Sequence, residues 1–186
     1  NQRLQQYLAQ EKKPVAIAKR DLTQRNVLSY SQQRLWFLQQ LEPDSVAYNE
    51  TSIWRLVGNL DVQVFERGLR EIMQRHEVTR TKYMLVNDEP VQVVASIDEF
   101  SLQVVDLQHI LESERETYLR RQVQADSQRP FNLVDEIPTR YKLYKLAETT
   151  YIFLFLHHHI CFDGWSSGVF YRELVKLYNA FITGKS

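Results

Sequence analysis

Tyr151-Ile-Phe-Leu-Phe-Leu-His-His-His-Ile-Cys-Phe-Asp-Gly-Trp-Ser166 is the stretch on which the fold turns. Its first six residues are continuously apolar and rich in aromatics. That composition suits a strand buried on both faces, although periodicity alone leaves a buried helix open. Three imidazoles, a carboxylate and a glycine follow. A strand that leaves the core and delivers titratable groups into a Gly-containing turn is a rigid mount for a catalytic base. Side chains alternate along an extended strand, so His157 and His159 share one face and His158 points to the other.

Working outward, residues 139–146 alternate imperfectly through Tyr141, Leu143, Tyr144 and Leu146, and read as the preceding strand. Residues 166–181 predict an amphipathic helix with Val169, Phe170, Leu174, Leu177 and Phe181 inward, capped by Ser166 or Ser167 and stopped by Gly184. Nearer the start, Ser29 or Ser31 caps a helix over 32–41 with Leu35, Leu38 and Leu41 on one face and Trp36 and Phe37 assigned to the core. A strand over 51–57 follows. Asp61 then caps a helix to about residue 76, with Phe65, Leu69, Ile72 and Met73 forming one apolar stripe. Residues 79–86 and 90–95 form a hairpin through Asn87-Asp88-Glu89, and 101–105 a short strand. A polar helix spans 107–127, burying Ile110 or Leu111, Tyr118, Leu119 and Val123. Its charged residues Glu112, Glu114, Arg115, Glu116, Arg120 and Arg121 form a solvated face. This order predicts an α/β (α+β) two-layer sandwich, a mixed sheet with helices packed on it. Residues 1–25, polar and poor in large apolar side chains, read as a linker or N-terminal arm, and 26–186 as the folded lobe.

Composition narrows the function. The chain has 186 residues, 44% of them hydrophobic, and 23 basic against 23 acidic side chains. That is an ordinary globular balance, and nothing in it predicts a nucleic-acid partner or an anionic membrane. No apolar run is long enough to cross a membrane. The single cysteine, Cys161, excludes an internal disulfide and fits a reducing cytoplasm. Five glycines and no phosphate-binding glycine loop argue against a nucleotide enzyme.

Three separated stretches together resemble one family. Ser29-Tyr-Ser-Gln-Gln-Arg-Leu-Trp-Phe-Leu38 is similar to the opening motif of nonribosomal peptide synthetase condensation domains. Arg75-His-Glu-Val-Thr-Arg-Thr-Lys-Tyr83 resembles their second motif, usually written RHExLRTxF, with Thr79 for Leu and Tyr83 for Phe. His158-His-Ile-Cys-Phe-Asp-Gly-Trp-Ser166 matches the third, HHxxxDGWS. Glu42-Pro43, Tyr48-Asn49 and Pro130-Phe-Asn-Leu133 also stand where such domains carry similar residues. The resemblance implies a chloramphenicol-acetyltransferase-like fold. Family members continue through a second lobe at least as large. The chain is therefore expected to be the N-terminal lobe alone, an excised fragment with little activity until the C-terminal lobe joins it.

The resemblance also implies roles. His159 is the second motif histidine, aimed into the reaction tunnel as general base or transition-state stabiliser, and His158 orients the turn. Asp163 braces the loop through an ion pair with Arg80 or, as second candidate, Arg75. Gly164 admits a backbone angle closed to other residues, and its N–H can face the oxyanion. Trp165 is core or tunnel wall. The implied reaction joins a donor acyl or peptidyl thioester to an aminoacyl acceptor. Both substrates ride on the phosphopantetheine of partner carrier proteins beside an adenylation domain, with no cofactor or metal held by this lobe. Four other readings compete. An epimerisation domain shares HHxxxDG, and a noncatalytic recruitment module shares the fold. A thiol nucleophile at Cys161, or a metal on His157, His159 and Asp163, would use the same residues differently.

Overall fold

The computed structural model describes residues 26–184, so the arm at 1–25 lies outside the described residues. The elements are β1 (Asn26–Val27), α1 (Tyr30–Leu41), β2 (Asn49–Val57), α2 (Val62–Arg75), β3 (Thr81–Val86), β4 (Glu89–Val94), β5 (Leu102–Asp106), α3 (Glu112–Ser127), β6 (Thr139–Ala147), β7 (Thr150–His158) and α4 (Gly164–Ile182), with short 3-10 turns at Glu77–Arg80 and Ile97–Glu99. They form two sheets, β1-β4-β3 and β2-β7-β6-β5. In the larger one β5 and β6 run parallel, and the other neighbours are antiparallel. A parallel pair needs a crossover, and α3 supplies it.

β7 occupies an inner position and is buried from Tyr151 through His158. Its alternate residues meet different helices. Phe153 and Phe155 face Phe65 of α2 and Phe170 of α4, with ring centroids 5.0 and 4.7 Å apart. On the other face, Ile152 joins Leu119 and Val123 of α3 and Ile53 of β2 around a cavity of about 650 Å³. Each fully buried side chain of this size is worth roughly 1.5–3 kcal/mol, so the strand that ends at the histidines is among the most heavily anchored. α2 and α4 come close at Gly68, where a Cβ would lie 3.4 Å from Leu174.

Local chemistry explains the boundaries. Ser29 caps α1 in a full capping box with Gln32, and Asp61 caps α2 through the Val64 N–H. The hairpin closes with Asn87 and Asp88 at φ 54° and 62°, the left-handed pair of a two-residue turn.

Some expectations need correction. α1 buries Leu35, Trp36 and Gln39, whereas Phe37 and Leu41 are exposed, because Gln39 turns inward to donate to the carbonyls of Pro43 and Phe131. α3 begins at Glu112 rather than 107. Residues 107–110 form a turn whose carbonyls, with that of Leu146, accept from the Arg115 guanidinium. Arg115 is therefore an anchor and not part of the solvated face, while Leu111 and Tyr118 are exposed. Residues 79 and 80 belong to a 3-10 turn before β3, and α4 starts two residues early because Asp163, not a serine, is its cap.

Candidate active site

The antiparallel register of β2 and β7 sets the geometry. Asn49 lies opposite His158 and Glu50 opposite His157, and the His159 N–H donates to the Tyr48 carbonyl at 2.8 Å, extending the pairing one residue past the strand. Residues directly opposite share a face. The Glu50 carboxylate consequently meets two rings at once: its Oε1 is 2.5 Å from His159 Nδ1 and its Oε2 is 3.1 Å from His157 Nε2. The His159 side chain is 42% exposed, whereas His157 is buried.

His157 packs against the rings of Phe155 and Phe162, with centroids 4.7 and 4.4 Å away. Burial holds its imidazole below the ordinary value, opposed by the pull of Glu50 and assisted by His159. His158 points the other way, into the layer of Tyr48 and Phe131. It has no exposed surface, and its Nδ1 accepts from the Ile160 N–H at 3.1 Å. Burial, with a smaller push from His159 and then His157, lowers its pKa to about 4. His158 is thus a turn former locked in the neutral state. The ring lies on the enclosed face, the inward position from which it is expected to orient the turn.

The turn beyond is stitched from three sides. The Ile160 carbonyl accepts from Gln32 Nε2 at 3.4 Å and from the Tyr83 hydroxyl at 3.5 Å, and Gln32 also donates to that hydroxyl at 3.2 Å. All three motif stretches therefore converge on one peptide group. Tyr83 in place of Phe adds the hydroxyl that makes the junction polar. The Cys161 thiol is buried and faces the His158 and Pro138 carbonyls; burial pushes its pKa up. A thiol held protonated in this way is a packed side chain and not a nucleophile.

Asp163 does not form the expected ion pair. It is exposed and accepts from the Ser166 hydroxyl at 2.6 Å and the Ser166 N–H at 2.8 Å, and these bonds hold its carboxyl below the usual range. An exposed carboxylate with two donors needs no arginine. Arg80 instead donates to the carbonyls of Met73 and Ala95, tying the end of α2 to the hairpin. Arg75 pairs with Glu71 and Glu173. Gly164 has no positive φ, so the expected special backbone angle is absent; no heavy atom lies within 4 Å of where its Cβ would stand. Trp165 is 82% exposed and lines a shallow apolar hollow of about 220 Å³ with Ile72, Val78, Phe162 and Val169, so it is not core. Among the described residues, no group of three His, Cys, Asp or Glu could hold a metal ion.

Glu50 is the site residue that sequence reasoning misses. It directly follows Tyr48-Asn49, but the composition predicts a strand beginning at residue 51, and only the register reveals that Glu50 faces the imidazoles.

Comparison with known proteins sets this geometry in context. A family model described as "Condensation domain" matches residues 23–186. One linear gramicidin synthase subunit of Brevibacillus parabrevis is 44% identical over 155 residues, 83% of this chain and 3% of that protein. Another subunit of the same synthase is 42% identical over 183 residues, 98% of this chain and 2% of that protein. The starter condensation domain of rhizomide synthetase superposes with a TM-score of 0.80 at 26% identity, covering 88% of this chain and 39% of that one. The chain therefore spans a few per cent of the length of these curated relatives. Among the described residues, no helix is long and apolar enough to cross a membrane.

Proposed function

The chain belongs to the condensation-domain family of peptide synthetases, with a chloramphenicol-acetyltransferase-like fold, and we propose that it is the N-terminal lobe of a domain forming an amide bond between two carrier-borne thioesters. The observation that carries the proposal is the isolation of His159. Of three consecutive imidazoles, two are buried, and this one projects from the end of a rigid strand with its ring accessible. Coverage of 39% of a solved condensation domain supports a lobe rather than a whole domain.

In the proposed reaction the acceptor's α-amine attacks the donor thioester carbonyl. The N–C bond forms, the C–S bond breaks, and the nitrogen's proton passes through His159 to the departing thiolate of the donor's phosphopantetheine. The thioester already stores the activation, so orienting two arms, excluding water and handling one proton suffice. His159 acts as general base or as hydrogen-bond donor to the tetrahedral intermediate. Gly164 opens α4 without a side chain, leaving its N–H free to face the developing oxyanion. Asp163 shapes the turn by capping α4. The partners are the two carrier proteins, a C-terminal lobe closing the tunnel and an adjacent adenylation domain; this lobe holds no cofactor of its own, and the setting is cytoplasmic.

The test is dipeptide formation by a complete condensation domain containing this lobe, with His159→Ala against wild type. A positioned general base contributes on the order of 10²–10⁴-fold, so a loss in that range is expected. Near-normal turnover would remove His159 from the role.

A further inference from the structure

The geometry points to Glu50 as a positioning residue for His159: its carboxylate fixes the ring as the Nδ1–H tautomer and leaves Nε2 as the bare nitrogen able to take a proton. This rests on the reading that His159 serves the reaction. A carboxylate offers only acceptors, so each ring nitrogen facing it must carry the hydrogen. The His159 contact, at 2.5 Å, is an ion-pair contact closer than the roughly 2.7–2.9 Å of an ordinary charge-assisted N–H···O bond. In a neutral imidazole one nitrogen bears the proton, so fixing it on Nδ1 defines Nε2 as the acceptor.

What distinguishes Glu50 from an ordinary surface carboxylate is that its second oxygen is also engaged. Oε2 meets Nε2 of His157, which is 1% exposed and wedged against Phe155 and Phe162. The carboxylate is therefore oriented from the interior before it touches His159, and it reaches both rings from a strand position set by the β2–β7 register. The other carboxylate near His159, Asp163, has one oxygen committed to Ser166 and does not contact the ring. Among the described residues, Glu50 is the one acidic side chain within ion-pair distance of His159. Bracing of the imidazole thus comes from β2, and Asp163 braces only the helix.

Two measurements test this on a complete condensation domain containing this lobe. First, imidazole nitrogen shifts of 15N-histidine-labelled wild-type domain, read on the neutral form of the ring, should show His159 carrying its hydrogen on Nδ1. A predominant Nε2–H form overturns the proposal without any variant. Second, Glu50→Gln and Glu50→Leu should lower kcat for dipeptide formation roughly 10- to 100-fold, the usual effect of removing an outer-shell partner of a functional histidine. KM for the acceptor should stay unchanged, Glu50→Asp should recover much of the loss, and Glu50→Gln should add nothing in a His159→Ala background. If His159→Ala abolishes turnover while Glu50→Leu, which has no acceptor, keeps wild-type kcat, positioning by Glu50 is refuted and the wider reading survives. If His159→Ala is itself near normal, both fall together.

Discussion

The two faces of the last turn of β7 carry the same side chain and give it opposite environments. On one, His159 stands in the open and shares a carboxylate with a buried neighbour; on the other, His158 is enclosed between Tyr48 and Phe131 with a single backbone donor for company. The covalent chemistry is identical and the two residues are consecutive. Strand alternation sends the two rings to opposite faces, and only the His159 ring is exposed. A histidine motif is thus better treated as a register with one exposed position than as a cluster.

The contrast can be broken in order of expected effect. The largest is kinetic: His159→Ala should cost on the order of 10²–10⁴-fold in peptide formation. A histidine that mattered only for packing would give no such loss with the fold intact. Next comes His158. Its folded pKa of about 4 lies below the ordinary value of 6.5, so the unfolded chain binds its proton first as pH falls. Stability contributed by the neutral ring is fully present above about pH 6.5, declines through that window and is exhausted near pH 4, a total of roughly 3 kcal/mol. Urea midpoints at neutral pH and near pH 5 should differ accordingly. In His158→Leu that part of the pH slope should vanish, even though the Ile160 N–H loses its acceptor. An unchanged slope would show that the ring is not held neutral.

A smaller effect separates the junction from the reaction. Tyr83→Phe restores the residue common in the second motif but removes the hydroxyl bridging Gln32 and Ile160; about 1 kcal/mol of stability should go with it. Comparable unfolding midpoints would mean that water replaces the hydroxyl without loss. The smallest concerns Asp163. Asp163→Ala removes the α4 cap at a cost of about 1 kcal/mol or less, given its exposure. Because its carboxyl is held low, that contribution is present above the usual carboxylate pKa and lost as pH falls through the lowered folded value. A thermal scan at neutral and strongly acidic pH reads it.

Much of the fold is legible in the sequence because its signals are local. The uninterrupted apolar run marks β7, Asp61 and Ser29 announce their helices, and Asn87-Asp88 suits a turn that requires positive φ. What escapes depends on pairing between distant segments. Glu50 acquires meaning only opposite His157, 107 residues away. Phe37 and Leu41 look like core until Gln39 takes the inward position, and Arg80 looks like a partner for Asp163 until two backbone carbonyls claim it. Family likeness points to His159 but supplies, for Asp163, an ion pair that this chain replaces with a cap.

Gln32 and Ile160 are 128 positions apart, yet their contact closes the turn on which His159 stands. Order at that bend consequently cannot be nucleated by neighbouring residues; it arrives only when the first helix, the hairpin and the inner strand have docked. Amide exchange at Ile160, whose N–H is sealed against His158, should therefore proceed through global opening rather than local fraying. Assembly of this bend and completion of the fold are one cooperative event.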